Sequence, residues 1–233
     1  MRGWQSWVLG SIPSQSIEVI NIIKAIIFDV DDTIIDFSKH VLPNYQKTAK
    51  ELNLKFKSKA SMARYFGTPL KNMIKAFWPK ANKKKFETIA LKKIKKRKFK
   101  AIKGSVNTIK ELHKNYTLAL LSSKSKILMY PHLKNVKLNK NLFKFIYSKE
   151  DVNHHKPNPK VFNKPLKKLK LKKEEILYVG DSIHDYIAAK KAGLNFVAVL
   201  TGSYKKSDFL KHNLNNNNIL KSLKDLPKWL ENE

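Results

Sequence analysis

The chain has 233 residues, no cysteine and a formal net charge of +30. The absence of cysteine excludes disulfide bonds, thiolate catalysis and thiolate-bound zinc, and it fits a reducing compartment such as the cytoplasm. The length is typical of one α/β domain, with or without an inserted segment. No apolar run in the sequence approaches the length of a membrane-spanning helix, so we expect no membrane partner.

The positive charge comes almost entirely from lysine rather than arginine. One interpretation is attraction to nucleic acid, or focusing of small anionic substrates. The other is a general preference for lysine and asparagine at surface positions, which the asparagine tract 215–218 favours. Because proteins that read nucleic acids use arginine for two-point contacts, we favour the second interpretation and expect no specific nucleic-acid binding.

Residues 1–21 precede the first predicted strand. They contain an arginine and two tryptophans near the start, but polar residues and Pro13 interrupt any apolar block, so they make a poor signal peptide. We expect a disordered extension or a misplaced start here. A tail that binds a surface is the less favoured alternative.

The first predicted strand, residues 22–28, ends in a cluster of carboxylates formed by Asp29, Asp31 and Asp32. Like charges crowded at the end of a buried strand repel one another, so a cation or a chemical function is expected there. Asp29 and Asp31 are two residues apart and leave the same side of an extended chain. Mg²⁺ prefers oxygen ligands and would neutralise such a cluster.

Residues 38–103, which follow this motif, carry helical patterns and no strand signal. The patterns cover residues 41–52, 69–78 and 86–96, and the segment is too long for a simple crossover. We predict a small helical cap at 38–103 over the carboxyl ends of the strands, with the core formed by 22–37 and 104–233. The lysine-rich stretches 83–85 and 92–100 would favour highly anionic substrates if they line the cleft, and say nothing if they face solvent.

Four further apolar runs read as strands, at residues 116–121, 143–147, 176–179 and 196–200. They lack strict alternation, which indicates burial on both faces, as in a parallel sheet. Helical patterns at 105–115 and 184–192 lie between them, and Pro131 and Pro165 predict a kinked or short helix at each position. The order of elements predicts a doubly wound, Rossmann-like α/β core.

Polar clusters follow three of these runs. Ser122 and Ser123 follow the run 116–121 and suit an anionic oxygen, although a serine there is more often a helix cap. Lys156 follows the run 143–147 beside two prolines and could offset charge on a phosphoryl group. Asp181 and Asp185 follow the run 176–179, where Gly180 allows a sharp turn toward the cleft.

In this order, the segments resemble the haloacid dehalogenase superfamily. The superfamily pattern is Asp-x-Asp-x-Thr, then Ser or Thr after the second strand, then Lys, then Gly-Asp followed by a further acid. In this chain it reads Asp29-Val30-Asp31-Asp32-Thr33, Ser122, Lys156, and Gly180-Asp181 with Asp185. The helical insertion, the turn 66–70 and the last strand are similar to the branch that contains phosphoglycolate phosphatase and β-phosphoglucomutase.

The resemblance implies catalytic roles for the matching residues. Asp29 would be the nucleophile that forms an aspartyl-phosphate, and Asp31 would protonate the leaving alcohol and then activate water. Ser122, Ser123 and Lys156 would bind the phosphoryl oxygens, and Lys156 would also hold Asp29. Because the halide-cleaving branch lacks the second acid, Asp31 argues against dehalogenation.

The resemblance also implies a metal site. Mg²⁺ would be held by Asp29, by Asp31 through its backbone carbonyl, and by Asp181, with Asp185 supporting the site directly or through water. The expected function is a Mg²⁺-dependent cytoplasmic phosphatase, monomeric or homodimeric, acting on a small metabolite such as phosphoglycolate, a sugar phosphate or a nucleotide. A phosphosugar mutase on the same scaffold is the close alternative, and a basic nucleic-acid-binding protein is the alternative from another class.

Overall fold

The computed structural model describes residues 23–55, 58–95 and 97–232. The extension predicted at residues 1–21 lies outside them. Within these ranges, no helix is both long enough and apolar enough to cross a membrane.

The described residues form eight strands and ten helices. The strands are β1 (Ala25–Phe28), β2 (Ile35–Asp36), β3 (Lys100–Ala101), β4 (Thr117–Leu121), β5 (Ile146–Tyr147), β6 (Ile176–Gly180), β7 (Asn195–Val199) and β8 (Ile219–Leu220). The helices are α1 (Ser38–Glu51), α2 (Lys59–Ala63), α3 (Leu70–Phe77), α4 (Lys83–Lys95), α5 (Ser105–Leu112), α6 (Lys126–Asn135), α7 (Asn163–Leu169), α8 (Ile183–Ala192), α9 (Lys206–Lys211) and α10 (Leu226–Leu230).

Six of the strands form one parallel sheet in the order β5-β4-β1-β6-β7-β8. The first strand therefore lies between β4 and β6, with Ile27 opposite Ala119 on one side and Tyr178 on the other. This arrangement confirms the predicted parallel α/β fold. It also brings the carboxyl ends of β4, β1 and β6 side by side at one edge of the sheet.

Both faces of the sheet are buried, as the lack of alternation in the sequence predicted. Ile26 and Phe28 join one apolar core and Ala25 and Ile27 join the other, all without solvent exposure. Helices α5, α6 and α10 contribute side chains to the first core, and α7, α8 and α9 to the second. Full burial of each Ile or Phe stabilises the fold by about 1.5–3 kcal/mol relative to exposure.

The segment between β2 and β3 holds helices α1 to α4 and packs into the first core through residues such as Tyr45, Met73 and Phe86. The expectation of no strand within 38–103 is wrong, because β3 lies there and pairs antiparallel with β2. A strand of two residues is too short to show an alternation of apolar and polar residues, so the sequence does not reveal it. Its pairing depends on the tertiary structure that brings β3 beside β2. This ribbon joins the two ends of the helical segment.

Four helices contain a proline, and the two at which a kinked or short helix was predicted have ten and seven residues. Pro131 lies inside α6, which has ten residues, and Pro165 lies in the first turn of the seven-residue α7. A proline in the first turn removes only an N–H that has no partner within the helix, so it does not break α7. The sequence patterns did not predict β2, β8, α2, α9 and α10, which are all short.

Candidate active site

Three polar residues lie where the central strands end. Asp29 follows β1, Ser122 follows β4 and Asp181 follows β6. Because these strands are neighbours and parallel, their ends share one edge of the sheet. The structure thus brings together residues that are up to 152 positions apart in the printed sequence, from Asp29 to Asp181.

Asp29 and Lys156 form a buried ion pair. The Nζ atom of Lys156 lies 2.6 Å from Oδ1 of Asp29 and 2.6 Å from Oδ1 of Asp185, and it also donates to the hydroxyl of Tyr178 at 3.1 Å. Lys156 is 1 % exposed and Asp29 is 2 % exposed. Burial alone would lower the pKa of Lys156, but the carboxylates of Asp185 and Asp29 outweigh it and hold that pKa well above its usual range.

Carboxylate oxygens of Asp29, Asp181 and Asp185 lie within 4.8 Å of one another, and all three residues are buried. Such an all-oxygen donor set fits Mg²⁺, which binds hard oxygen ligands. Two glycines leave room for these carboxylates: an added Cβ at Gly202 would collide with the Asp181 carboxylate, and one at Gly180 would lie 2.6 Å from Cγ of Asp185. The residues present therefore fit the metal that the family resemblance implied.

Asp29 and Asp181 are electrostatically strained, even though Lys156 pairs with Asp29. Burial raises the pKa of Asp29 to about 7, and the nearby Asp185 and Asp31 carboxylates add to the rise while Lys156 opposes it. Burial and the neighbouring carboxylates also raise the pKa of Asp181 well above its usual value. A bound cation would relieve this repulsion, since an adjacent positive charge favours the ionised carboxylate.

Asp185 differs from the other two acids because both of its oxygens are already bonded. Oδ1 accepts from Lys156 and, at 2.7 Å, from the hydroxyl of Tyr178, while Oδ2 accepts from the hydroxyl and backbone N–H of Ser182. Although burial would raise the pKa of Asp185, the contacts with Lys156, Ser182 and Tyr178 lower it. Asp185 thus orients Lys156 and caps α8 at the same time.

Asp31 is not part of this group of three acids and pairs with Lys124, a residue to which the sequence motifs gave no role. The Nζ atom of Lys124 lies 2.6 Å from Oδ1 of Asp31 and 3.0 Å from Nδ1 of His132, and 3.6 Å from the centre of the Phe37 ring. Burial raises the pKa of Asp31 and lowers that of Lys124, while the ion pair opposes both shifts. In a chain with 48 lysine and arginine residues, only the position of Lys124 after a strand end could have marked it.

Asp32, the third acid of the first motif, caps the helical segment. Its Oδ1 accepts hydrogen bonds of 2.9 Å from the backbone N–H groups of Phe37 and Ser38, at the start of α1. Its backbone lies in the left-handed region, with φ of 60°. The crowding of three carboxylates inferred from the sequence is therefore smaller than expected, since this one is satisfied by backbone donors.

The two serines after β4 have different partners. The hydroxyl oxygen of Ser122 accepts from the backbone N–H of Lys124 at 3.2 Å, and its own proton has no acceptor among the residues that the structure describes. Ser123 donates its hydroxyl proton to the carbonyl of Gly67 at 2.7 Å and so ties the core to the turn before α3. Gly67 is suited to this contact, because its φ is +89° and an added Cβ would lie 2.6 Å from Oγ of Ser182.

One cavity opens over these residues. Its floor contains Asp29, Asp31, Ser122, Ser123 and Lys124. Its walls come largely from the helical segment, with aromatic and aliphatic side chains of α1, α3, α4 and the turn at 65–68. Lys156, Asp181 and Asp185 are buried and are not among the residues that line the cavity.

Comparison with known proteins agrees with this geometry. A sequence model of the family described as haloacid dehalogenase-like hydrolase matches residues 26–199. The pyrophosphatase PpaX of Oceanobacillus iheyensis is 28% identical over 207 residues, which cover 88% of this chain and 95% of that protein.

Solved structures are also similar in fold. A hydrolase from Pseudomonas syringae has a TM-score of 0.77 at 22% identity, covering 90% of this chain and 98% of that one. A protein described as a predicted phosphoglycolate phosphatase from Haemophilus somnus has a TM-score of 0.72 at 22% identity, covering 88% of this chain and 97% of that one. The match of the family model over most of the sequence confirms the predicted membership: the chain belongs to the haloacid dehalogenase-like hydrolase family.

Proposed function

We propose that the protein is a Mg²⁺-dependent phosphatase that hydrolyses a small phosphorylated metabolite through an aspartyl-phosphate on Asp29. The single observation that carries the proposal is the buried ion pair between Asp29 and Lys156 inside a cluster of carboxylates. A carboxylate can attack a phosphate dianion only if cations screen their repulsion. When bound, Mg²⁺ would supply further positive charge for the phosphoryl oxygens.

In the first half of the proposed reaction, a carboxylate oxygen of Asp29 attacks phosphorus and the bond from phosphorus to the leaving oxygen breaks. Lys156 holds the other side of the Asp29 carboxylate and limits its rotation. The free hydroxyl proton of Ser122 is available to a phosphoryl oxygen. Asp31 gives a proton to the leaving oxygen, which its raised pKa favours.

In the second half, water attacks the phosphorus of the aspartyl-phosphate. The bond between phosphorus and the Asp29 oxygen breaks, which releases orthophosphate and regenerates the Asp29 carboxylate. Asp31 takes the proton from that water, since it lines the same cavity as Asp29. Lys124 lies against Asp31 and stabilises its ionised form between the two steps. The proposed metal ligands are the side chains of Asp29 and Asp181 and the carbonyl of Asp31, with Asp185 supporting through Lys156 and Ser182.

The test is phosphate release from a panel of phosphorylated metabolites, with and without Mg²⁺. The panel includes inorganic pyrophosphate and phosphoglycolate, because similar proteins are named as a pyrophosphatase and as a predicted phosphoglycolate phosphatase. We expect activity that needs Mg²⁺ and is lost in Asp29→Asn while the circular dichroism spectrum is unchanged. Asp36→Asn, at a half-buried acid outside the site, is the matched control and should retain activity. Near-normal turnover by Asp29→Asn would end the assignment of the nucleophile.

Product analysis separates the proposed hydrolase from the alternative mutase. A phosphatase releases free orthophosphate, whereas a phosphosugar mutase returns an isomerised sugar phosphate. We expect orthophosphate to account for the substrate consumed.

A further inference from the structure

The walls of the active-site cavity are chemically unlike its floor. Above the floor of acids, serines and Lys124, the helical segment presents aromatic and aliphatic side chains, among them Tyr45, Phe66, Leu70, Met73, Leu91 and Ile94. Tyr45 and Phe66 form one continuous patch, with nearly parallel rings whose centres are 6.2 Å apart. The group attached to the phosphoryl group would lie against this surface.

Helix α4 shows how the lysine-rich stretches are arranged. Glu87, Leu91 and Ile94 line the cavity, at spacings that share one face of a helix. The lysines at positions 83, 84, 85, 92 and 95 are exposed, and Lys93 pairs with Glu51. None of these six lysines is in the cavity lining that the structure describes. The basic charge of α4 therefore faces solvent and not the cleft.

The charged side chains that line the cavity are three carboxylates, of Asp29, Asp31 and Glu87, and two ammonium groups, of Lys124 and Lys149. Lys124 is already paired with Asp31, and Lys149 lies 3.9 Å from Glu150. Although the protein carries +30, this lining offers little positive charge to a second anionic group. An anion placed between Glu87 and the aromatic patch would lose hydration without gaining a partner.

We propose that the substrate is a phosphate monoester of an uncharged alcohol with an apolar face, either aromatic or branched aliphatic. The proposal rests on the phosphatase function above and narrows its substrate class. Apolar walls favour a leaving group that loses little hydration, and the aromatic patch suits ring-to-ring contact. A leaving group that carries a phosphate or a carboxylate, as in pyrophosphate or phosphoglycolate, is disfavoured by the same walls.

The first measurement compares kcat/KM for benzyl phosphate, 2-hydroxyethyl phosphate, phosphoglycolate and pyrophosphate with the whole chain in saturating Mg²⁺. Benzyl phosphate and 2-hydroxyethyl phosphate both release a primary alcohol, so their comparison reports the wall contacts. We expect benzyl phosphate to exceed phosphoglycolate and pyrophosphate by at least tenfold, and to exceed 2-hydroxyethyl phosphate. A tenfold preference for pyrophosphate or phosphoglycolate over benzyl phosphate would overturn the proposal.

A binding measurement separates this proposal from the phosphatase function itself. Phenylphosphonate and phosphonoacetate are not hydrolysed, and titration calorimetry gives their affinities in Mg²⁺ whether or not the protein turns over. We expect phenylphosphonate to bind at least tenfold more tightly. If no monoester is hydrolysed, the proposed phosphatase function is wrong. If phosphonoacetate binds as tightly as phenylphosphonate, or more tightly, only the proposal of an apolar leaving group is wrong.

Variants of the cavity wall test whether its apolar side chains cause the expected substrate preference. Leu91→Lys places an ammonium group on the cavity face of α4, and Leu70→Lys does the same from α3; both positions are half-buried. In either variant, the kcat/KM ratio of benzyl phosphate to pyrophosphate should fall at least tenfold. Leu210→Lys, the same change at an exposed leucine of α9, should leave the ratio within twofold of the parent. An unchanged ratio in a folded wall variant would also overturn the proposal.

Discussion

The Nζ atom of Lys124 lies 2.6 Å from Oδ1 of Asp31, and the Lys124 side chain is only 1% exposed. This ion pair joins the residue proposed as the acid–base group to the segment after β4. The ring of Phe37 covers the ammonium group from one side and His132 contacts it from another. The position of the Asp31 carboxylate therefore depends on a lysine that lies 93 residues away in the printed sequence.

Replacing Lys124 by methionine should leave Asp31 without its buried partner. Removing one member of a buried ion pair costs about 3–5 kcal/mol, and the low end applies here because Asp31 is open to the cavity. We expect the free energy of unfolding in urea to fall by about 3 kcal/mol at pH 8. Lys126→Met, at an exposed ion pair two residues along, is the control and should cost under about 1 kcal/mol. Equal losses in the two variants would argue against a stabilising pair.

Mg²⁺ binding should weaken as the pH falls. Burial raises the pKa of Asp29 to about 7, so this ligand is increasingly protonated below that pH and ionised above it. Protons compete with the metal for the carboxylate. For each proton that metal binding releases, the Mg²⁺ affinity falls by up to about tenfold per unit of decrease in pH. Titration calorimetry at pH 6 and pH 8 should give a dissociation constant about tenfold higher at pH 6. A dissociation constant that is the same at both pH values would contradict the raised pKa.

Gly202→Ala should damage the metal site without unfolding the protein. The added Cβ would collide with the Asp181 carboxylate and displace it. We expect Mg²⁺ affinity to fall at least tenfold in calorimetry, with an unchanged circular dichroism spectrum.

Gly193→Ala is the converse control for that experiment. Gly193 has a φ of +75° at the end of α8. An added Cβ there would lie 3.6 Å or more from its nearest neighbours, which are atoms of Lys173 and not of Asp181. Alanine at this position should lower the free energy of unfolding by about 1 kcal/mol and leave Mg²⁺ affinity intact. Loss of Mg²⁺ affinity in Gly193→Ala rather than Gly202→Ala would refute the steric argument.

The two serines after β4 should respond differently to alanine. The Ser122 hydroxyl proton is free for a phosphoryl oxygen, and loss of such a donor lowers kcat by about 10²–10³-fold. The Ser123 proton is committed to the Gly67 carbonyl, so we expect Ser123→Ala to change kcat by less than about tenfold. Steady-state rates of phosphate release decide this, with each variant serving as the control for the other. A larger loss of kcat in Ser123→Ala than in Ser122→Ala would indicate that Ser123, and not Ser122, contacts the phosphoryl group.

The core of the fold could be predicted from the sequence because its signals are local. Apolar runs without alternation predicted buried strands, and the acids that follow residues 28 and 180 stood out in a chain with 18 acidic residues. Two-residue strands such as β2, β3 and β8 could not be predicted, since too few residues carry a pattern. Their pairing depends on contacts with distant parts of the chain.

The sequence by itself determined that this chain forms a parallel α/β sheet with acids, a serine and a lysine at the strand ends, since hydrophobic periodicity and motif order are properties of neighbouring residues. Only the tertiary structure decided which groups meet: Lys124 with Asp31, Ser123 with Gly67, and the apolar face of α4 with the cavity while its lysines meet solvent. The physical reason is that hydration and charge at a site are set by everything packed around it. The sequence alone does not show whether a given lysine faces the cleft or the solvent.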